Sequence, residues 1–279
     1  MTTLDHAAIG KRYAPPPGLT GRIDDALRAA GLDLGGLVPE DLAPFDQFHT
    51  LGLAATNELA ALATITGTDR VLDVGCGIGG PARHLAATRH CTVVGVDLTD
   101  AYVELAAHLT TLTRQTDRVS FQRADALHLP FERDTFDVVW TQHVAMNIAD
   151  RPALYGEMHR VLRRGGRLAI FDVVEGNGMP LHFPVPWADV QAESFLLSAD
   201  AMRATLEASG FLVREWHDKT HEAAEWLEER RRAAVGLSQP PALGLHLLLG
   251  PGFATMIQNF ARNVADGRVR LVMTVLEKR

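Results

Sequence analysis

The amino-acid sequence predicts an α/β protein with a doubly wound, mostly parallel sheet. Three observations lead there. Short runs such as VLDV, TVVGVD, FDVVW and LAIFDVV are apolar along almost their whole length, the mark of strands buried on both faces. Segments of helical length separate them, as parallel crossovers require. The first strand runs straight into the glycine turn of VLDVGCGIGG (71–80), and Pro81 then opens a helix, where its missing N–H costs nothing.

Taken in order, residues 1–66 read as helical and loop-rich, a lid or cap before a main domain spanning 67–279. PPPG (15–18) blocks helix, and GRIDDALRAAGL (21–32) predicts a short amphipathic helix stopped at Gly31. Pro39 and Pro44 break the chain before FDQFHTLGLAATNELAALATIT (45–66), whose spacing predicts one helix ending at Gly67. From Arg70, strands and helices alternate: VLDV then PARHLAATR, TVVGVD then DAYVELAAHLTTLTRQ, RVSFQ and FDVVW, ALYGEMHRVLRR then GRLAIFDVV. EGNGMPLHFPVPWADV (175–190) follows, too irregular for an element and too hydrophobic for an idle linker. Residues 176–198 are therefore expected to form an acceptor-site loop. SADAMRATLEASGF predicts a helix with Ser198 as N-cap and Gly210 as its stop. FLVREWHD is a strand, and EAAEWLEERRRAAV an exposed helix with ERRR (229–232) on its solvated face. ATMIQNFARNVADGR is another helix and VRLVMTVLEK a last strand.

Composition excludes several classes of function. Lys+Arg number 27 against 34 Asp+Glu, a net charge of −7 with no extended basic run; nucleic-acid binding needs clustered cations and is not expected. Cys76 and Cys91 belong to no CxxC pair, so a reduced, cytoplasmic setting is expected. MTTLDHAAIGKRYAPPPGL lacks the apolar core of a secretory signal. No apolar run reaches the roughly 18 residues of a membrane span; LGLHLLLGPGF (243–253) is broken by His246, Gly250, Pro251 and Gly252. His217 and His221 stand four apart but straddle a strand end with no third ligand near, so no metal is expected.

The glycine turn carries the functional reading. Glycines 75, 77 and 79 let backbone approach a ligand that a Cβ would exclude. Asp97, twenty-two residues past Gly75, ends the second strand, where an acid accepts hydrogen bonds from both hydroxyls of an adenosine ribose. Two cofactors fit. Gly75-x-Gly77-x-x-Gly80 satisfies the dinucleotide fingerprint, while Gly75, Gly77 and Gly79 also satisfy GxGxG. Asp73 offers an acceptor to a methionine ammonium, and Asp125 one to an adenine amino group. No YxxxK follows Tyr13, Tyr102 or Tyr155, so a short-chain dehydrogenase would lack its proton-transfer pair. An NAD-dependent dehydrogenase and a non-catalytic adenosyl-binding protein stay open beside a methyl-transferring enzyme.

DVGCGIGG (73–80), VVGVD (93–97), RADALHLPF (123–131), FDVVWTQHVAMNI (136–148) and VLRRGGRLAI (161–170) together resemble the class I S-adenosylmethionine-dependent methyltransferases, over about a hundred residues. The resemblance implies a Rossmann-like sheet of seven strands, the last antiparallel, with FLVREWHD and VRLVMTVLEK as strands six and seven. DQFHTLG, MNIADRPALYGEMHRVL and FPVPWA followed by AESFLLS further resemble the sarcosine/dimethylglycine and phosphoethanolamine N-methyltransferases. The implied cofactor is S-adenosylmethionine, leaving as S-adenosylhomocysteine, and the implied partner a small-molecule acceptor. N-methylation is favoured, with O- or C-methylation of a natural product, as in secondary metabolism, left open.

Carried over, the resemblance puts Asp73, Gly75, Gly77 and Gly79 at the methionine end. Asp97 with Leu98 takes the ribose, and Asp125 with the Ala126 backbone the adenine. Gln47 and Gln142 complete the cofactor site, and Phe48 and His49 form part of a lid. Met146, Asn147, His182, Phe183 and Trp187 are candidates for the acceptor pocket, with Glu193 either pairing a substrate cation or facing solvent. His143 is the candidate general base, with an ordinary pKa near 6.5 that would serve at neutral pH. Each has a plainer reading: Asp73 bonded to its own glycine loop, Asp125 capping a turn, the aromatics of 182–187 as a hydrophobic plug, His143 as packing. The 176–187 loop, with glycine hinges, is expected to close with Phe48 and His49 over the site.

Overall fold

A computed structural model of the chain describes residues 12–14, 17–235, 241–250 and 252–279. The signal-like stretch weighed above, Pro15, Pro16 and Pro251 lie partly or wholly outside these residues. Seven strands form one sheet: β1 Arg70–Val74, β2 Thr92–Asp97, β3 Val119–Arg123, β4 Phe136–Gln142, β5 Leu162–Glu175, β6 Phe211–Asp218 and β7 Val269–Lys278. Their order is β3-β2-β1-β4-β5-β7-β6, with β7 antiparallel to both neighbours. The uniform apolarity of the strands has its cause in two cores. Val71, Val93, Val138 and Phe171 face one layer of helices, while Leu72, Val74, Val139 and Ile170 face the other.

The helices are α1 Leu19–Ala29, α2 Pro39–Asp46, α3 Gly52–Leu62, α4 Gly80–Arg89, α5 Asp100–Leu112, α6 Arg151–Val161, α7 Ala199–Ala208, α8 Thr220–Ala234, α9 His246–Leu249 and α10 Phe253–Ala265. Ser198 caps α7 by accepting the Ala201 N–H, as its sequence position predicts. Three expectations fail locally. Pro44 lies inside α2 rather than breaking the chain before it. The helix expected over 45–66 is two helices, because Leu51 adopts φ 64° and residues 47–51 turn instead of continuing the spiral. α6 stops at Val161, and the Arg163–Arg164 tail predicted helical begins β5 instead.

A third apolar cluster binds the N-terminal helices to the sheet's helical layer: Ile23, Leu27, Leu42 and Phe45 pack on Ile78, Leu105 and Leu109. At its heart Asp46 and Arg83 form a salt bridge of 3.0 Å with side chains about 1% and 0% exposed. Arg83 also donates to the Ile78 carbonyl. This pair fastens the end of α2 to the first turn of α4, across the mouth of the glycine turn. Gly80 allows that approach; a Cβ there would lie 2.1 Å from the Asp46 carbonyl oxygen.

Candidate active site

The sheet order reverses between β1 and β4, and such switch points leave a crevice at the carboxyl ends of the strands. Here the crevice is a cleft of about 1040 Å³, counting its open mouth. After β1 the chain turns through Gly75 (φ 73°) and Gly77 (φ 52°), conformations that side chains resist. Gly75 passes so near Val144 that a Cβ would sit 2.3 Å from it, whereas nothing lies within 4 Å of a Cβ on Gly77. Gly77 therefore presents bare backbone to the cleft. Gly79 does not line the cleft, contrary to expectation: its φ of 80° starts α4, and a Cβ would strike Phe121 at 2.4 Å.

Three acids meet the cleft at strand ends. Asp97 closes β2, accepting the Gly77 N–H at 3.0 Å and the Thr99 N–H at 2.9 Å. It thus shapes the glycine turn as well as facing the cleft. Asp125 also does two things: it lines the cleft and holds its own turn, through the Leu127 N–H and His128 Nδ1. Asp73, in β1, is 2% exposed, and its Oδ2 has no partner among the described residues. Burial, then the charge of Asp97, raises its pKa to about 8. A buried carboxylate without a donor is costly, and an ammonium would supply the missing charge. Asp46, Asp73, Asp97 and Asp125 are the charged lining, and no lysine or arginine joins them among the described residues.

Leu98, Ala126 and Gln142 also line the cleft. Gln142 accepts from the Trp140 indole at 3.0 Å and leaves its Nε2 unbonded. Gln47 is corrected: it does not line the cleft but donates to Asp46 and accepts from Thr56 behind it. Tyr13 and Tyr102, which sequence reasoning treated only as failed YxxxK candidates, line it instead. Tyr13 donates to Asn147 Oδ1 at 3.2 Å. No local signal marks either tyrosine, because Tyr13 reaches the strand ends from a distant part of the chain.

His143 stands at the cleft wall in a left-handed conformation, φ 55°. The Phe171 carbonyl, 3.2 Å away, can only accept, so Nδ1 carries the proton. Nε2 then accepts from the Thr50 hydroxyl at 2.9 Å. Burial, then neighbouring His49, lowers its pKa to about 3. The expectation of an untuned base at neutral pH fails: the lone pair is engaged and the imidazolium is disfavoured. His49 is likewise neutral, lowered by burial to about 4, with Nδ1 donating to the Thr50 carbonyl and Nε2 sharing the single Thr56 hydroxyl proton with Gln47.

Tyr13, Phe48, His49 and His143 are shared with a second cavity of about 580 Å³. Met146 and Trp187 line it as expected, together with Trp226 of α8, Leu249 of α9, and Phe253, Ile257 and Phe260 of α10. Trp187 donates to Ser194 and packs edge-on against Phe260. Asn147 lines the cleft rather than this cavity. His182 and Phe183 line neither: His182 is pinned to Asn263 and Asp266, and Phe183 packs on the core. Glu193 is exposed and accepts the Asp189 N–H. His217 and His221 pair with Glu215 and Glu225.

The 176–187 loop is tethered at several points. Gly176 is there for contact, since a Cβ would lie 2.1 Å from the Gly267 carbonyl oxygen. Asn259 holds the Pro184 carbonyl, and Arg12 donates to the Val185 and Pro186 carbonyls and pairs with Asp189.

Residues 72–170, which run from within β1 to within β5 and hold three of the cleft's four aspartates, match the family model described as a methyltransferase domain. That match takes in 99 of the chain's 279 residues. Methyltransferase GfsG of Streptomyces halstedii is 40% identical over 134 residues, 48% of each chain. The chain spans about half the length of the curated relatives it matches. Two solved structures share the whole fold. A geranyl diphosphate C-methyltransferase from Streptomyces coelicolor, solved with magnesium, geranyl diphosphate and S-adenosylhomocysteine, has a TM-score of 0.72 at 18% identity, covering 100% of this chain and 99% of its own. The [4+2]-cyclase SpnF has a TM-score of 0.67 at 22% identity, covering 95% and 98%. The matched residues thus sit within the α/β fold that both structures share, and that fold alone does not dictate the reaction.

Proposed function

We propose that this protein transfers a methyl group from S-adenosylmethionine to a small molecule held beside the cleft. The charge of the cleft carries the reading. Four aspartates, Asp46 of them paired with Arg83, and no lysine or arginine in the described lining suit a ligand with an ammonium and a sulfonium and disfavour the pyrophosphate of a dinucleotide. Asp73 would hold the ammonium and Asp97 the ribose hydroxyls. Asp125 and the Ala126 backbone would read the adenine, and Gly77 would admit the methionine end. Bound there, S-adenosylmethionine supplies a methyl already activated for in-line attack, its S–C bond breaking with the electron pair left on sulfur. The chain's part is alignment and exclusion of water. Phe48, His49, Tyr13 and His143 form the wall through which an acceptor would reach the methyl. His143, neutral and held between Phe171 and Thr50, positions that wall and takes up no proton while it stays buried.

Calorimetric titration with S-adenosylhomocysteine tests this. A carboxylate bonded to ribose hydroxyls is worth roughly 1.5–3 kcal/mol per bond, so Asp97→Ala should weaken binding at least about tenfold. NADH should not bind. Wild-type affinity in the variant, or tight NADH binding to the native chain, would overturn the reading.

A further inference from the structure

The side cavity has chemistry the cleft lacks. Among the described residues its lining contains no Asp, Glu, Lys or Arg, and the two histidines in it are held neutral by burial. Two tryptophans, Trp187 and Trp226, face Leu249, Phe253, Ile257 and Phe260. The polar groups cluster at one end, where Tyr13, His49 and His143 belong to the wall shared with the cleft and Thr50, bonded to His143, joins them on the cavity side. A carboxylate, a phosphate or a protonated amine placed here would be desolvated with no counter-charge, which is costly. An apolar body fills such a space favourably.

We infer that the cavity binds the methyl acceptor, and that this acceptor is a neutral molecule with an apolar body and a single polar reacting end. The apolar part lies among α8, α9 and α10; the polar end meets the Tyr13–His49–Thr50–His143 wall and faces the cleft. This rests on the methyl-transfer reading for the word acceptor, while the cavity's preference for neutral apolar ligands stands independently. Small charged amines such as sarcosine or phosphoethanolamine, which the sequence resemblance favours, do not match it.

The test uses the full chain saturated with S-adenosylhomocysteine, which fills the cleft and leaves the cavity. Nile red, a neutral apolar dye that brightens in apolar surroundings, is the probe, and displacement is followed by its emission. 1-Decanol should displace it, whereas sarcosine and phosphoethanolamine should not displace it at a hundredfold higher concentration. Ile257→Trp, which fills the cavity, should weaken dye binding at least about tenfold with S-adenosylhomocysteine affinity unchanged; that unchanged affinity reports a folded protein. Phe253→Ala, which enlarges the cavity, gives a second readout by shifting the preference toward bulkier alcohols. Displacement by sarcosine or phosphoethanolamine, or dye affinity indifferent to both variants, overturns the inference. If the native chain fails to bind S-adenosylhomocysteine, the methyl-transfer reading falls, and the same dye titrations without it still judge the cavity.

Discussion

The cleft and the side cavity share one wall and differ in almost everything else. The cleft is built mostly from the ends of β1, β2 and β4 and the turns after β1 and β3, joined by Tyr13, Asp46, Phe48 and His49 from the N-terminal segment, and its charged lining among the described residues is wholly acidic. The cavity draws on Met146, Pro186–Trp187, Trp226–Leu227, Leu245, Leu249 and three residues of α10, and among the described residues its lining carries no acidic or basic side chain other than its two histidines. Strand-end geometry dictates the first, since each carboxylate needs only its place in a parallel strand. Packing of inserted helices dictates the second. With the cleft proposed for the cofactor and the cavity for the acceptor, a chain built this way would change its acceptor by altering α8 to α10 while the cleft stays as it is.

The largest expected effect falls where the N-terminal helices are fastened to the cleft. Asp46 and Arg83 are both buried, so removing one partner strands a charge, at a cost of about 3–5 kcal/mol. Arg83→Met should lower the thermal midpoint by roughly 10 °C and weaken S-adenosylhomocysteine binding by opening the mouth of the glycine turn. The double variant Arg83→Met with Asp46→Leu should recover much of the midpoint. Equal losses in the single and double variants would show that the pair does not join the two parts.

Asp73 sharpens the contrast in charge. With a pKa raised to about 8, it is mostly protonated at pH 7 in the ligand-free protein, and an ammonium beside it favours the ionised form. Binding of S-adenosylhomocysteine at pH 7 should therefore release close to one proton, read from calorimetry in buffers of different ionisation enthalpy. Between the unfolded carboxyl pKa near 4 and the raised folded value, the native state binds more protons, so this group destabilises the fold increasingly as pH rises. Asp73→Asn should stabilise the free protein at pH 8 by at least about 1 kcal/mol while abolishing the proton release. Release that persists in the variant would place the titrating group elsewhere.

The smallest effect belongs to the shared wall. His143, lowered to about 3, and His49, lowered to about 4, are neutral when folded but protonate near pH 6.5 when unfolded. Their contribution is intact at pH 7 and is lost as pH falls through that value toward the folded pKa values. Asp73 and Asp172, the latter raised to about 6, work in the opposite direction, so the whole profile is a sum and only differences between variants isolate one group. His143→Asn, whose side chain tolerates the left-handed backbone, should remove about 2 kcal/mol of the stability lost between pH 7 and pH 5. Denaturant titrations at the two pH values measure it. Parallel profiles in the native and variant chains would mean that His143 is not the buried neutral group placed here.

The sheet, the glycine turn and the places of Asp73, Asp97 and Asp125 were legible in the sequence because each follows from local rules. Strands buried on two faces read as apolar runs, turns with positive φ demand glycine, and a strand's last residue faces the crevice whatever packs around it. Gln47, Gly79, His182 and Phe183 show the limit of that logic: each has a side chain or backbone suited to a site, and each is turned to hold the scaffold instead. His143 shows it differently, since its position was legible but its protonation was not. Tyr13, Trp226 and the side cavity left no pattern at all, because they converge from segments far apart along the chain. Spacing along a strand determines where a group points; burial, charge and shape depend on what the rest of the chain brings beside it, and only the tertiary structure decides that.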